Sequence, residues 1–234
     1  MKKGNKIIVV AALLVIVACA FAVGGYFIGK TAGEKPHLEA RNRLYTLNRA
    51  SIANMSIKNG PVYVIGNRSP DSDTICSAIA YTRLLNMLGY PAEAAANGQV
   101  NKETAYILKE AGVEAPPVLE DAAGKSIFLV DHSEYAQATA GMQDAHIVGI
   151  LDHHGVGSVT TGQQLVYEAK PIGATATIVW LDYLNYGLEI DKPTATLLLG
   201  AILSDTTNLT GTTVTEADRQ IGRASCRERV SVVV

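Results

Sequence analysis

Cysteine is scarce. The 234 residues hold three, Cys19, Cys76 and Cys226, which cannot make a disulfide framework and so exclude a stapled secreted scaffold. Charge is sparse too, at 18% of residues against 48% apolar, and a disordered chain would show the reverse balance. No internal repeat recurs along the chain. Positive charge is missing from the middle, where residues 31–220 carry 13 basic and 21 acidic residues, a net of −8. A domain that acidic is a poor candidate for binding nucleic acid by neutralising its phosphate backbone, and no nucleic-acid partner is expected. It is suited to holding cations. At about 100–200 residues per domain, the length allows one domain with a small appendage.

The two ends differ from the middle. Residues 7–28 run for 22 positions without a charge, long enough as a helix to span a hydrocarbon core of about 30 Å. The rival is a cleaved signal peptide, and Ile16 to Cys19 resembles a lipoprotein cleavage box. The apolar run continues nine residues past Cys19, which favours an uncleaved single-pass anchor in the lipid bilayer and a membrane location. Lys2, Lys3 and Lys6 precede the run and Lys30, Lys35, Arg41 and Arg43 follow it, so charge does not choose a side for the rest of the chain. At the other end, Ile221 to Val230 (IGRASCRERV) resembles a translated sequencing adapter. The expectation is a non-native tail over 221–234, with the natural sequence continuing beyond Gln220.

Between the ends, residues 37–57 have loosely helical apolar spacing and predict a juxtamembrane helix or stalk, broken by Asn59-Gly60-Pro61. Residues 61–220 then alternate. PVYVIG (61–66), SIFLVD (126–131) and HIVGILD (146–152) are apolar, largely β-branched runs that predict buried strands, with a weaker one at 92–96. Helical spacing covers Thr74–Leu88, Lys102–Ala111, Gly173–Tyr186 and Pro193–Ser204, with glycine stops at 89 and 112. Strands and helices in this order predict an α/β domain with a mostly parallel sheet flanked by helices.

The carboxylates sit where such a sheet would use them. Asp71 and Asp73 follow the first strand, Asp131 ends the second buried run, and Asp152 ends the third. The C-terminal ends of parallel strands share one edge, which is where open α/β folds bind ligands. Four converging carboxylates need a counter-charge, and a divalent metal supplies it most simply. His132, His153 and His154 add neutral nitrogen ligands beside those acids, and Asp205 ends a helix pointing to the same rim. Cys76 reads as a small core residue, and His37 and His146 as structural.

GNRSPDSDTICSAIAY (66–81), FLVDHSE (128–134), LDHHG (151–155) and AILSDTT (201–207) together resemble the four motifs of the DHH phosphoesterase superfamily. Within it, DTICSAIAY, GQVNKETAYIL (98–108) and AKPIGATATI (169–178) resemble the family II, manganese-dependent inorganic pyrophosphatases. The resemblance covers the N-terminal DHH domain and implies two Mn²⁺ ions, with Co²⁺ or Mg²⁺ as alternatives. By its motif matches, Asp71 goes to the first metal, Asp73, His153 and Asp205 to the second, and Asp131 bridges both. His154 faces the substrate phosphate, which makes His154 and Asp131 the expected catalytic pair. Asn67 stands where the family usually has a histidine ligand of the first metal. As an oxygen donor it would bind a transition metal more weakly than imidazole. The resemblance further implies pyrophosphate as substrate, a homodimer as an assembly to consider, and a C-terminal lid domain that residues 1–220 do not include, so this stretch alone is expected to bind metal better than it turns over substrate. The competing readings are a DHH phosphodiesterase acting on oligonucleotides or cyclic dinucleotides, and a non-catalytic metal-binding membrane module.

Overall fold

Valine, isoleucine and alanine runs of four to seven residues build a five-stranded sheet. The computed structural model of the chain describes residues 37–227, and the apolar run 7–28 lies outside them. The strands are β1 (Val62–Ile65), β2 (Ala92–Ala95), β3 (Ser126–Val130), β4 (His146–Asp152) and β5 (Val166–Ala169). Every pairing is parallel, in the order β2-β1-β3-β4-β5. β3 is buried at all five positions, as a central strand covered on both faces must be.

The helices are α1 (residues 37–51), α2 (Ser72–Met87), α3 (Lys102–Ala111), α4 (Thr175–Asn185), α5 (Lys192–Asp205) and α6 (Glu216–Arg227). Residues up to Leu47 form one unit and Asn48 onward another. The first consists, among the described residues, of helix with exposed Leu38, Leu44 and Leu47. Among the described residues no helix is long and apolar enough to cross a membrane. α1 stops at residue 51 rather than 57, because the chain tightens there into turns with Ala53 N–H on Ala50 O and Met55 N–H on Ile52 O.

Local chemistry sets the helix ends in the main unit. Asp71, Asn101 and Asp191 cap α2, α3 and α5 by accepting a backbone N–H three residues on. Gly112 closes α3 in the left-handed conformation. Alternating strand residues feed two cores. Val62, Val64, Phe128 and Leu151 pack under the helices. Ile65, Ile127, Leu129 and Ile150 face the other way, onto Ala122, Ala138 and Met142. That second face is covered by loops and two short 3₁₀ turns, Tyr135–Gln137 and Met142–Asp144.

β5 and α6 are not in the sequence reading. β5 is a half-exposed edge strand, and α6 runs through residue 220, with Ile221 buried. β1 and β3 are neighbours whose connections leave on opposite sides, so the loops after them diverge. An open parallel sheet forms its ligand crevice at such a switch point.

Candidate metal centre

The loops leaving β1, β3 and β4 and the end of α5 supply the acids and imidazoles. Asp73 is buried in the first turn of α2, and its oxygens accept the N–H groups of Thr175 (2.6 Å) and Ala176 (2.8 Å) and the Ser77 hydroxyl (3.1 Å). The start of α4 therefore points its free donors at a carboxylate. Asp131 follows β3 with φ at 63°, a conformation uncommon outside glycine. Its backbone N–H still bonds Leu151 O at 2.9 Å, so the sheet ladder holds the strained residue in place. Asp131 Oδ2 accepts from the Thr74 hydroxyl (2.6 Å) and Asn67 Nδ2 (3.3 Å), and Oδ1 from the Thr175 hydroxyl (3.1 Å).

His153 completes the centre. Its Nδ1 lies 3.0 Å from Ile172 O. A carbonyl only accepts, so Nδ1 carries the hydrogen and Nε2 is left as the ligand atom. Nε2 stands 3.4 Å from both Asp131 Oδ1 and Asp205 Oδ2. His154 Nδ1 is 2.9 Å from Asp152 Oδ1, whose other oxygen accepts from Ser133 Oγ at 3.0 Å. That pairing leaves His154 Nε2 as the free nitrogen of a half-exposed ring.

One donor atom each from Asp131, His153 and His154 lies within 4.8 Å of the others, and the same holds for Asp73, His153 and Asp205. The electrostatics express the crowding. Burial and the neighbouring Asp131 hold both Asp71 and Asp73 above the usual carboxylate range, and the same causes lift Asp205 to about 6. Burial opposes charge on His153, yet its hydrogen bond to Asp131 and the pull of Asp73 raise it to about 10. These groups take up protons where they lack a cation. Carboxylate oxygens with a pre-oriented imidazole nitrogen are a donor set that manganese accepts, so the residues fit the ion. A cleft of about 350 Å³ opens onto them, lined in part by Asn67, Arg68, Asp71, Asp131, His154 and Asp205.

The remaining expected residues take different places. Asn67 turns its amide nitrogen to the Thr74 hydroxyl (2.7 Å) and Asp131, while its oxygen accepts the Ser69 N–H at 3.0 Å. In this arrangement it donates to Asp131, and its oxygen has one partner, the Ser69 N–H. His132 is buried with Nδ1 against Val130 O and belongs to neither donor group. Asp152 orients His154 instead of joining them. Asp71 lines the cleft outside both groups. The two groups share His153, and Asp131 Oδ1 stands 3.4 Å from its Nε2. Thr74, Thr175 and Ser133, which hold the acids, went unread; only the motif words around them hinted at their presence.

Residues 61–202 match the DHH family, N-terminal domain. The chain belongs to the DHH family. This DHH chain is 42% identical over 172 residues to a probable manganese-dependent inorganic pyrophosphatase of Archaeoglobus fulgidus, covering 68% of the chain and 53% of the relative. It is 42% identical over 159 residues to the manganese-dependent inorganic pyrophosphatase of Methanothrix thermoacetophila, covering 68% and 51%. Among solved structures, a Methanococcus jannaschii protein described as a family II inorganic pyrophosphatase superposes with a TM-score of 0.67 at 35% identity, over 73% of this chain and 57% of that one. An exopolyphosphatase-related protein of Bacteroides fragilis, at 12% identity and a TM-score of 0.58, shares the fold. The DHH chain spans about half the length of the curated relatives it matches.

Proposed function

We propose that this DHH domain hydrolyses inorganic pyrophosphate to two phosphates with a pair of manganese ions at the sheet rim. The observation that carries the reading is that segments far apart in the chain bring two donor groups together at His153, one with Asp131 and His154 and the other with Asp73 and Asp205. The likeness to manganese-dependent pyrophosphatases at 42% identity supports the ion and the substrate.

Bound there, divalent manganese supplies positive charge against phosphoryl oxygens and acidifies nearby water. The chain's own groups do the rest. Asp131 and His153 meet at the boundary of the two donor groups and hold their geometry. Asp152 fixes the His154 ring, so Nε2 can carry a proton at the mouth of the cleft, beside the leaving phosphate. Arg68 is the cationic side chain lining the cleft and is suited to a phosphoryl oxygen. Positioning and charge dominate phosphoryl transfer, so little covalent chemistry is asked of these groups. The resemblance assigns further cations to a C-terminal lid, in the part of the relatives this chain does not span. The run 7–28 would tether the domain to a bilayer, a reading that rests on its length and lack of charge.

Phosphate release from pyrophosphate, with a dinucleotide as the competing substrate, tests the proposal. Turnover should require Mn²⁺, prefer pyrophosphate, and fall by more than about 100-fold in Asp131→Ala. Preference for the dinucleotide, or pyrophosphate turnover that survives Asp131→Ala or removal of Mn²⁺, overturns it.

A further inference from the structure

Asp218 belongs to none of the motifs, yet it is fully buried and accepts four hydrogen bonds. Its Oδ2 takes the N–H of Gly173 (3.0 Å) and both the N–H (2.7 Å) and hydroxyl (2.6 Å) of Thr215, and its Oδ1 takes the hydroxyl of Thr177 (2.6 Å). The Thr215 bonds make a capping box for α6, since the Asp218 N–H returns to the Thr215 hydroxyl at 3.5 Å. The bonds to Gly173 and Thr177 have a different destination, the turn that enters α4.

That turn touches the metal centre at three points. Ile172 O receives His153 Nδ1, the N–H groups of Thr175 and Ala176 hold Asp73, and the Thr175 hydroxyl holds Asp131. It has little to hold itself, because the residue in the capping position of α4 is Ala174, which makes no side-chain cap bond. Asp218 grips it on both sides of that gap. Gly173 is what lets the carboxylate come so close: a Cβ there would lie 2.8 Å from Asp218 Oδ2 and 2.6 Å from Thr206 Cγ2.

We infer that Asp218 is a positioning residue for the metal centre, setting through Gly173 and Thr177 the turn whose carbonyl and N–H groups aim His153 and Asp73. The inference rests on the metal-binding reading of Asp73, Asp131 and His153 given above. Groups behind metal ligands commonly matter this way, because they fix the direction of a lone pair rather than supply one. The alternative is that Asp218 merely caps α6.

Mn²⁺ titration calorimetry and the electron paramagnetic resonance spectrum of the bound ion, with thermal unfolding of each metal-free variant, separate the two. Asp218→Asn and Thr177→Val should each weaken Mn²⁺ binding by about 10-fold and change the line shape, whereas Thr215→Val, which removes the α6 capping hydroxyl and its bond to Asp218 but no bond to the turn entering α4, should lower Tm and leave affinity within about twofold. Equal Mn²⁺ affinity in the protein, Asp218→Asn and Thr177→Val overturns the positioning role, and so does an equal loss in all three variants. If Asp218→Asn does not fold, Thr177→Val decides alone. Asp131→Asn is the control: if it binds Mn²⁺ as the protein does, the metal reading itself has failed, and the inference with it.

Discussion

At position 67 a neutral amide stands beside a carboxylate, and it does what an amide does best there. It donates to Asp131 and to Thr74 Oγ1, which leaves the centre one nitrogen ligand poorer than an imidazole would. Asn67→His should restore that ligand and tighten Mn²⁺ binding by about 10-fold; calorimetry showing unchanged affinity would count against it. That Asp73, Asp131, His153, His154 and Asp205 approach one rim could be read from their places at the ends of predicted strands and helices, whereas Asp71 caps α2 and lines the cleft. The direction in which Asn67 points was not legible, nor were the services of Thr175 and Asp218. Each depends on a partner far away in the chain, and no local periodicity encodes such a meeting.

Elements with a full apolar face were readable, α1 and β2 showed weaker patterns, and β5 and α6 showed none. β3 and β4 announce themselves by continuous buried runs, and α3 by its asparagine cap and glycine stop. β5 has four residues in a half-exposed pattern, and α6 opens on a polar stretch, so neither rises above loop composition. The packing of α4 against α2 carries a cost that can be measured. Asp182 Oδ2 and the Tyr81 hydroxyl are both buried without a hydrogen-bond partner. Burial, partly offset by Lys170, lifts the Asp182 carboxyl from 3.8 to about 7. A carboxyl raised on folding leaves the native state holding more protons than the unfolded chain between those values. Stability from this group is therefore complete below pH 3.8 and lost as pH rises through about 7. Asp182→Asn, which resembles the protonated acid, should stabilise the protein by up to about 4 kcal/mol at pH 8 and change little at pH 4. Urea denaturation at the two pH values checks the sign, and a variant less stable at pH 8 would refute it.

For the molecule as a whole, the strand order β2-β1-β3-β4-β5 does the gathering. The crevice opens between β1 and β3, the loops after β1, β3 and β4 reach its rim, and α4 and α5 close it from the helical side. This much follows from alternating strand and helix patterns, because parallel neighbours need crossover connections and all strand ends then face one way. The covering of the second face by 3₁₀ turns does not follow, since those turns are short and lack a repeating pattern.

The same crossovers set an order of events during folding. Each donor group joins segments distant along the chain, and contacts of that kind form late because their loops must close first. An ion that recognises only the finished rim has nothing to hold at the barrier. Mn²⁺ at 100 times its Kd should then slow unfolding by roughly 100-fold and leave the refolding rate unchanged. Stopped-flow refolding that accelerates with Mn²⁺ would show instead that the rim is part of the nucleus. If the rates behave as expected, the ion is a latch on a door that has already closed, and withdrawing it by chelation will shorten the lifetime of the native state without delaying its return.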